Sequence, residues 1–185
     1  KQIDENFNTQ NCQPEYQYCV DNNLYQFHAK QSYSSPMITY GSTRLTFGLS
    51  NLIGLPITPS IAEVRNNVLL YKNILPNIDL KYTYLPHKVK EEIIVHDRTT
   101  FSTLTNDLTI DFTLGTHNAP ITSHSQHIKI GDLYIRDLMA MDSASSSILI
   151  PFTLAGNTLR MTLPLSWLKN ESTIYPITID PTIAT

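Results

Sequence analysis

Asp79-Leu80-Lys81-Tyr82-Thr83-Tyr84-Leu85 runs through Pro86-His87 into Lys88-Val89-Lys90-Glu91-Glu92-Ile93-Ile94-Val95, and this stretch decides the fold. Its apolar residues recur with a period of two rather than 3.6, which is the spacing of strands. Two such runs joined by a two-residue link form an antiparallel hairpin. In the second strand Glu91 falls on the same face as Val89, Ile93 and Val95. A carboxylate on an apolar face needs a lysine, hydroxyl or amide beside it, because unpaired burial costs several kcal/mol or forces protonation. The alternative is an exposed face on which Glu91 is as solvated as Lys90 and Glu92. Pairing across the turn predicts that Asp79, Lys81, Lys90 and Glu91 lie close together.

Outward from this hairpin the same pattern persists. Strands are expected over 24–29, 37–49, 68–71, 79–85, 88–96, 108–114, 127–130, 133–137, 148–155, 158–163 and 173–179, about eleven in all. Gly156-Asn157 marks a second tight turn. Helical candidates are confined to 61–66 and 165–169, each a connector after a serine or proline. No repeat and no linker divides the chain, so the expected fold is all-β: an antiparallel β-sandwich over 23–185, preceded by a polar N-terminal arm over 1–22.

At 185 residues the chain is long enough for one self-sufficient core. Only 16% of residues are charged and the net charge is −3, which excludes the basic footprint of a nucleic-acid or anionic-membrane binder. Cys12 and Cys19, with Pro14 between them, read as a disulfide and so as an oxidising compartment. The start at Lys1 and the lack of a long apolar run fit a mature exported chain with no membrane span. Asn170-Glu171-Ser172 is one candidate N-glycosylation sequon.

Enzymatic signatures are missing. His117, His124 and His127 lack the helical spacing and carboxylate of a zinc site, and no glycine-flanked serine elbow occurs. Asp137 and Asp142 near Ser143 form no recognisable triad. No catalytic residue, metal or cofactor is assigned, and a non-enzymatic role is expected.

Four further segments carry a resemblance: Tyr71-Lys72-Asn73-Ile74-Leu75-Pro76-Asn77-Ile78-Asp79-Leu80-Lys81-Tyr82, Val89-Lys90-Glu91-Glu92-Ile93-Ile94, Leu163-Pro164-Leu165-Ser166-Trp167-Leu168, and Tyr175-Pro176-Ile177-Thr178-Ile179-Asp180-Pro181-Thr182. Together they resemble a β-rich domain of exported bacterial and archaeal surface proteins, the type associated with DNRLRE modules. The layout of a polar arm and one sandwich resembles the subunit of archaeal thread filaments, which are similar in principle to type I pili. That resemblance implies an extracellular, adhesive, self-assembling filament whose copies join head to tail by donor-strand complementation. The alternatives are a carbohydrate-binding or adhesin module using Tyr82 and Tyr84, and a secreted hydrolase. Extracellular polymers of this kind also suggest an intramolecular isopeptide bond. Glu91 would be its proton shuttle, Lys81 (or Lys90) its amine, and Asp79, Asp111 or Asp180 its acyl partner; a buried Lys–Glu ion pair explains the same pattern without a bond.

Overall fold

The computed structural model describes residues 6–10, 12–55, 57–117 and 119–185. In chain order the strands are β1 (Tyr18–Val20), β2 (Tyr25–Ala29), β3 (Met37–Tyr40), β4 (Thr43–Leu52), β5 (Ala62–Arg65), β6 (Val68–Leu75), β7 (Ile78–Leu85) and β8 (Lys88–Val95). They continue as β9 (Leu108–His117), β10 (Ile121–Ser123), β11 (Ile128–Ile130), β12 (Leu133–Met141), β13 (Ser147–Leu149), β14 (Phe152–Ala155), β15 (Thr158–Leu163) and β16 (Ile177–Ala184). One short helix, α1 (Leu165–Leu168), links β15 to the last strand. The strands form two antiparallel sheets, one ordered β1-β2-β3-β4-β9-β15-β14 and the other β10-β11-β12-β16-β8-β7-β6-β5, with β13 added beside β12. The fold is the expected all-β sandwich.

Alternation explains the layering. Along β7 every second residue, from Ile78 through Leu80, Tyr82 and Tyr84, is buried, and its neighbours are only partly so. Facing residues from the other sheet complete the core, with Phe47 and Phe112 stacked at 4.7 Å between ring centres. Buried tyrosines also join the sheets through backbone carbonyls: Tyr84 donates to Tyr25 O at 2.5 Å, and Tyr25 donates to Ile183 O at 2.8 Å. Each hydroxyl thereby avoids the penalty of an unpaired buried donor.

Three local expectations are corrected. The 61–66 stretch is not a helical connector but contains β5, because Ala62–Arg65 pairs along β6. The 37–49 run is a hairpin and not one strand, broken where Gly41 takes φ 57°, a left-handed value that glycine adopts without strain. The 148–155 run splits into β13 and β14 around Ile150 and Pro151; β13 pairs with β12 and β14 pairs with β15, so the chain changes sheet there. By contrast, the turns at Pro86-His87 and Gly156-Asn157 fall at the expected places.

The arm is knitted into this frame from Phe7 onward. Asn8 pairs with Cys19 on the outer side of β1, with N–O distances of 2.8 and 3.1 Å. Cys12 and Cys19 are disulfide-bonded with Cα atoms 5.6 Å apart. Phe7 is buried against Phe27 and Tyr84, at ring separations of 5.5 and 6.4 Å, while its N–H donates to Asn66 O in the β5–β6 turn at 2.9 Å. The arm thus closes one end of the sandwich by touching both sheets. Residues 1–5 lie outside the described residues.

Candidate functional site

Strand β8 carries the residues singled out from sequence, and the pleat separates them. Register pairs Tyr82 with Glu91 and Lys81 with Glu92. Glu91 therefore faces the interior, fully buried, where Tyr82 Oη donates to Glu91 Oε1 at 2.9 Å. Its other oxygen has no hydrogen-bond partner among the described residues. Burial pushes the Glu91 carboxyl well above its usual range, the tyrosine hydrogen bond only partly offsetting it. The sequence predicted a hydroxyl, amide or lysine beside Glu91; the partner is the Tyr82 hydroxyl.

The lysines serve Glu92 on the opposite face. Lys81 Nζ lies 2.5 Å from Glu92 Oε2, Lys90 Nζ 2.9 Å from Glu92 Oε1 and 3.0 Å from Asp180 Oδ2. The pairs Ile179–Ile93 and Thr182–Lys90 place Asp180 on β16 beside Glu92. Burial would raise the Glu92 carboxyl, but the two lysines outweigh it and hold the group below its ordinary value. Burial also opposes the charge of Lys90, and the contacts to Glu92 and Asp180 outweigh it and raise that lysine. Asp180 shares its one lysine with Glu92, so burial prevails and its carboxyl sits above normal. The expected Lys81–Glu91 contact is thus corrected to Lys81–Glu92, since consecutive residues on a strand face opposite ways.

The remaining acyl candidates are dispersed. Asp79 accepts from Asn73 N–H at 2.8 Å and meets His96 at 2.8 Å, away from the lysines. Asp111 lies on β9 in the other sheet, where Arg160 grips both of its oxygens at 2.7 and 2.8 Å. That hydrogen-bonded pairing outweighs burial and holds the Asp111 carboxyl low. An isopeptide site needs a dry, neutral amine; the Lys81 and Lys90 side chains are 29% and 33% exposed and rest on carboxylates. Tyr82 and Tyr84, suggested as surface rings for sugars, are core residues.

Asn170 sits in the exposed turn after α1, where its Oδ1 accepts from Ser172 N–H at 2.9 Å and Ser172 Oγ at 2.8 Å. Among the described residues no three histidines, cysteines or carboxylates converge as metal ligands. His117 ends β9, while His124 and His127 close the β10–β11 turn with rings stacked at 4.6 Å.

These two histidines border an open cleft of about 980 Å³ that the sequence did not reveal. Strands β11 and β13 pair with successive halves of the same edge of β12 and leave a gap between them. The gap lies level with a β-bulge: pairing of β12 with β16, on its other edge, shifts between Arg136 and Met139, and Asp137 takes φ 58°. Bulges of this kind re-aim side chains and are over-represented near functional sites. One wall carries His127 against Tyr134 at 5.5 Å, and the opposite wall carries Leu149, 76% exposed, with Phe152. Comparison of the chain with protein-family models, with curated proteins and with solved structures gives no match.

Proposed function

We propose that this protein is a structural subunit of an extracellular filament, joined head to tail by exchange of its N-terminal arm. The observation that supports this reading is the burial of Phe7 between Phe27 and Tyr84 by a segment that adds strand β1 to a sheet edge. A groove that one chain's own arm fills can accept the same arm from a second copy, since both make identical contacts. Such an exchange is heterologous and need not close, so it propagates as a fibre. It also covers the edge of β2 that an undocked arm would leave exposed. The hinge would be residues 21–24, where Asp21 meets His28 and its carbonyl accepts from Gln26 at 2.9 Å. The disulfide between Cys12 and Cys19, together with the weakly charged surface, suits an oxidising exterior. No helix among the described residues is long and apolar enough to cross a membrane. Asn170, exposed and held in its turn by Ser172, offers a place for an N-glycan.

Electron microscopy of the native surface and of concentrated protein tests the proposal directly. Fibres are expected from the full chain. Deleting residues 1–20 should abolish them, leaving a sandwich that binds a synthetic peptide of that segment. Fibres from the truncated chain, or a full chain that stays monomeric at every concentration, would overturn the arm-exchange reading.

A further inference from the structure

The geometry points to the cleft between β11 and β13 as a binding site for a neutral carbohydrate, a role independent of the filament reading. Its size, about 980 Å³, lies at the upper end of the roughly 300–1,000 Å³ typical of small-ligand sites. Its walls combine ring and aliphatic surface. Tyr134 and His127 present ring surface on one side, His124 stacks on His127, and Leu149 and Phe152 supply an apolar opposite wall. Sugar rings have the matching faces: C–H groups that pack on aromatic and aliphatic surface, and hydroxyls around the rim that need hydrogen bonds.

The polar partners stand at the bulge. Asp137 is exposed at 60% of its side chain and Arg136 at 48%, their closest charged atoms 3.9 Å apart. That distance leaves both groups with unused hydrogen-bonding capacity, an acceptor and a donor fork side by side as vicinal hydroxyls require. Their charges are opposite, so this pair by itself offers no net attraction for phosphate, nucleotide or an acidic polymer, and the ammonium beside the cleft, that of Lys129, lies over the Tyr134 ring at 5.6 Å. Asp137 holds this position with a positive φ, a conformation uncommon for a residue other than glycine and one that collects at ligand sites.

Two other occupants fit less well. A metal would need a third ligand beside His124 and His127, and none converges among the described residues. An added peptide strand would need a regular edge. The bulge breaks that edge at Asp137, and Leu138 O already accepts from Ile150 N–H at 2.9 Å.

The test uses the full chain and a panel of glucose, galactose, mannose, N-acetylglucosamine, lactose and cellobiose, read by saturation-transfer NMR and calorimetry. At least one sugar should bind. Tyr134→Ala and His127→Ala should each weaken that sugar by about tenfold, the loss of one ring contact of about 1.4 kcal/mol. Thr153→Ala, on the exposed face of β14, should leave binding unchanged. Near-UV circular dichroism establishes that each variant is folded. The inference is overturned if no sugar in the panel binds, if folded Tyr134→Ala and His127→Ala bind as tightly as the parent, or if glucuronic acid or phosphate is preferred over every neutral sugar. Fibre formation by the same variants is expected to persist, which separates failure here from failure of the arm-exchange proposal.

Discussion

Glu91 and Glu92 are consecutive carboxylates on one strand, and the molecule drives them in opposite directions. Both lie in the β7–β8 hairpin and both are largely removed from water. Glu91 meets one neutral hydroxyl, so burial dominates and shifts its carboxyl upward, toward the neutral form. Glu92 meets two ammonium groups, so their attraction outweighs burial and the proton leaves. Depth alone does not set a carboxyl's state; the partner offered by the face of the sheet does. Reversing either partner should break the contrast.

The largest effect is expected from Glu91→Gln. A folded-state pKa above the unfolded value of about 4.3 gives stability that is fully present below that pH and lost as pH rises through the folded pKa. The loss should accrue at up to about 1.4 kcal/mol per pH unit. Glutamine keeps the shape and carries no proton to lose, so urea unfolding from pH 4 to pH 8 should show a flatter profile and a more stable variant at the alkaline end. Matching profiles would mean that Glu91 ionises in place and that the contrast with Glu92 is false.

Glu92→Gln should act with the opposite sign. A folded-state pKa below the unfolded value gives stability present above about pH 4.3 and lost as pH falls through the folded pKa. Breaking a buried pair costs about 3–5 kcal/mol, but Lys81 and Lys90 are about a third exposed and screened, so about 1–3 kcal/mol is expected at neutral pH. The deficit should vanish in strong acid, where the parent's own Glu92 is protonated. A deficit that persists there would assign the effect to packing.

The hairpin itself was legible in the sequence because local rules decide it: alternation set the faces of β7 and β8, and Pro86-His87 set their register. Parity put Glu91 on the face of Val89, Ile93 and Val95, and the second sheet packed on that face makes it the buried one. The partners were not legible, because the choice between a lysine and a hydroxyl depends on which residue of the next strand stands opposite. Reading Lys81 as nearest to Glu91 put it one position out of register. Asp180 comes from a strand far along the chain, 88 residues beyond Glu92, and its place beside Glu92 follows from sheet order, which no local pattern encodes. The bulge at Asp137 escaped for the same reason: nothing in Arg136-Asp137-Leu138 distinguishes it from a regular strand until β11, β13 and β16 compete for β12.

Lys81→Met should have a smaller effect than either glutamate change. Lys81 contacts Glu92 alone, and Lys90 still pairs with Glu92 after the substitution. The pair joins a buried carboxylate to a lysine that solvent partly screens, so about 1 kcal/mol is expected, and the difference from the parent should shrink in molar sodium chloride. A loss as large as that of Glu92→Gln would mean that Lys90 does not hold the pair by itself.

The smallest expected effect is none at all: the intact mass should equal the full sequence mass less the two hydrogens removed by the Cys12–Cys19 bond. An amide between Lys90 and Asp180 would remove one further water. The amine must first be neutral to attack a carbonyl carbon, and the contacts with Glu92 and Asp180 instead favour the ammonium. Glu92, held ionised by two lysines, is a weak base for taking that proton. Solvent also reaches a third of the Lys90 side chain, so no dry pocket offsets either penalty. Mass spectrometry after glycan removal reads the answer to well within one water. A species lighter by one water would replace the outer ion pairs with a covalent strut between β8 and β16, and the contrast between Glu91 and Glu92 would become one between a carboxyl shifted upward by burial and a spent proton shuttle.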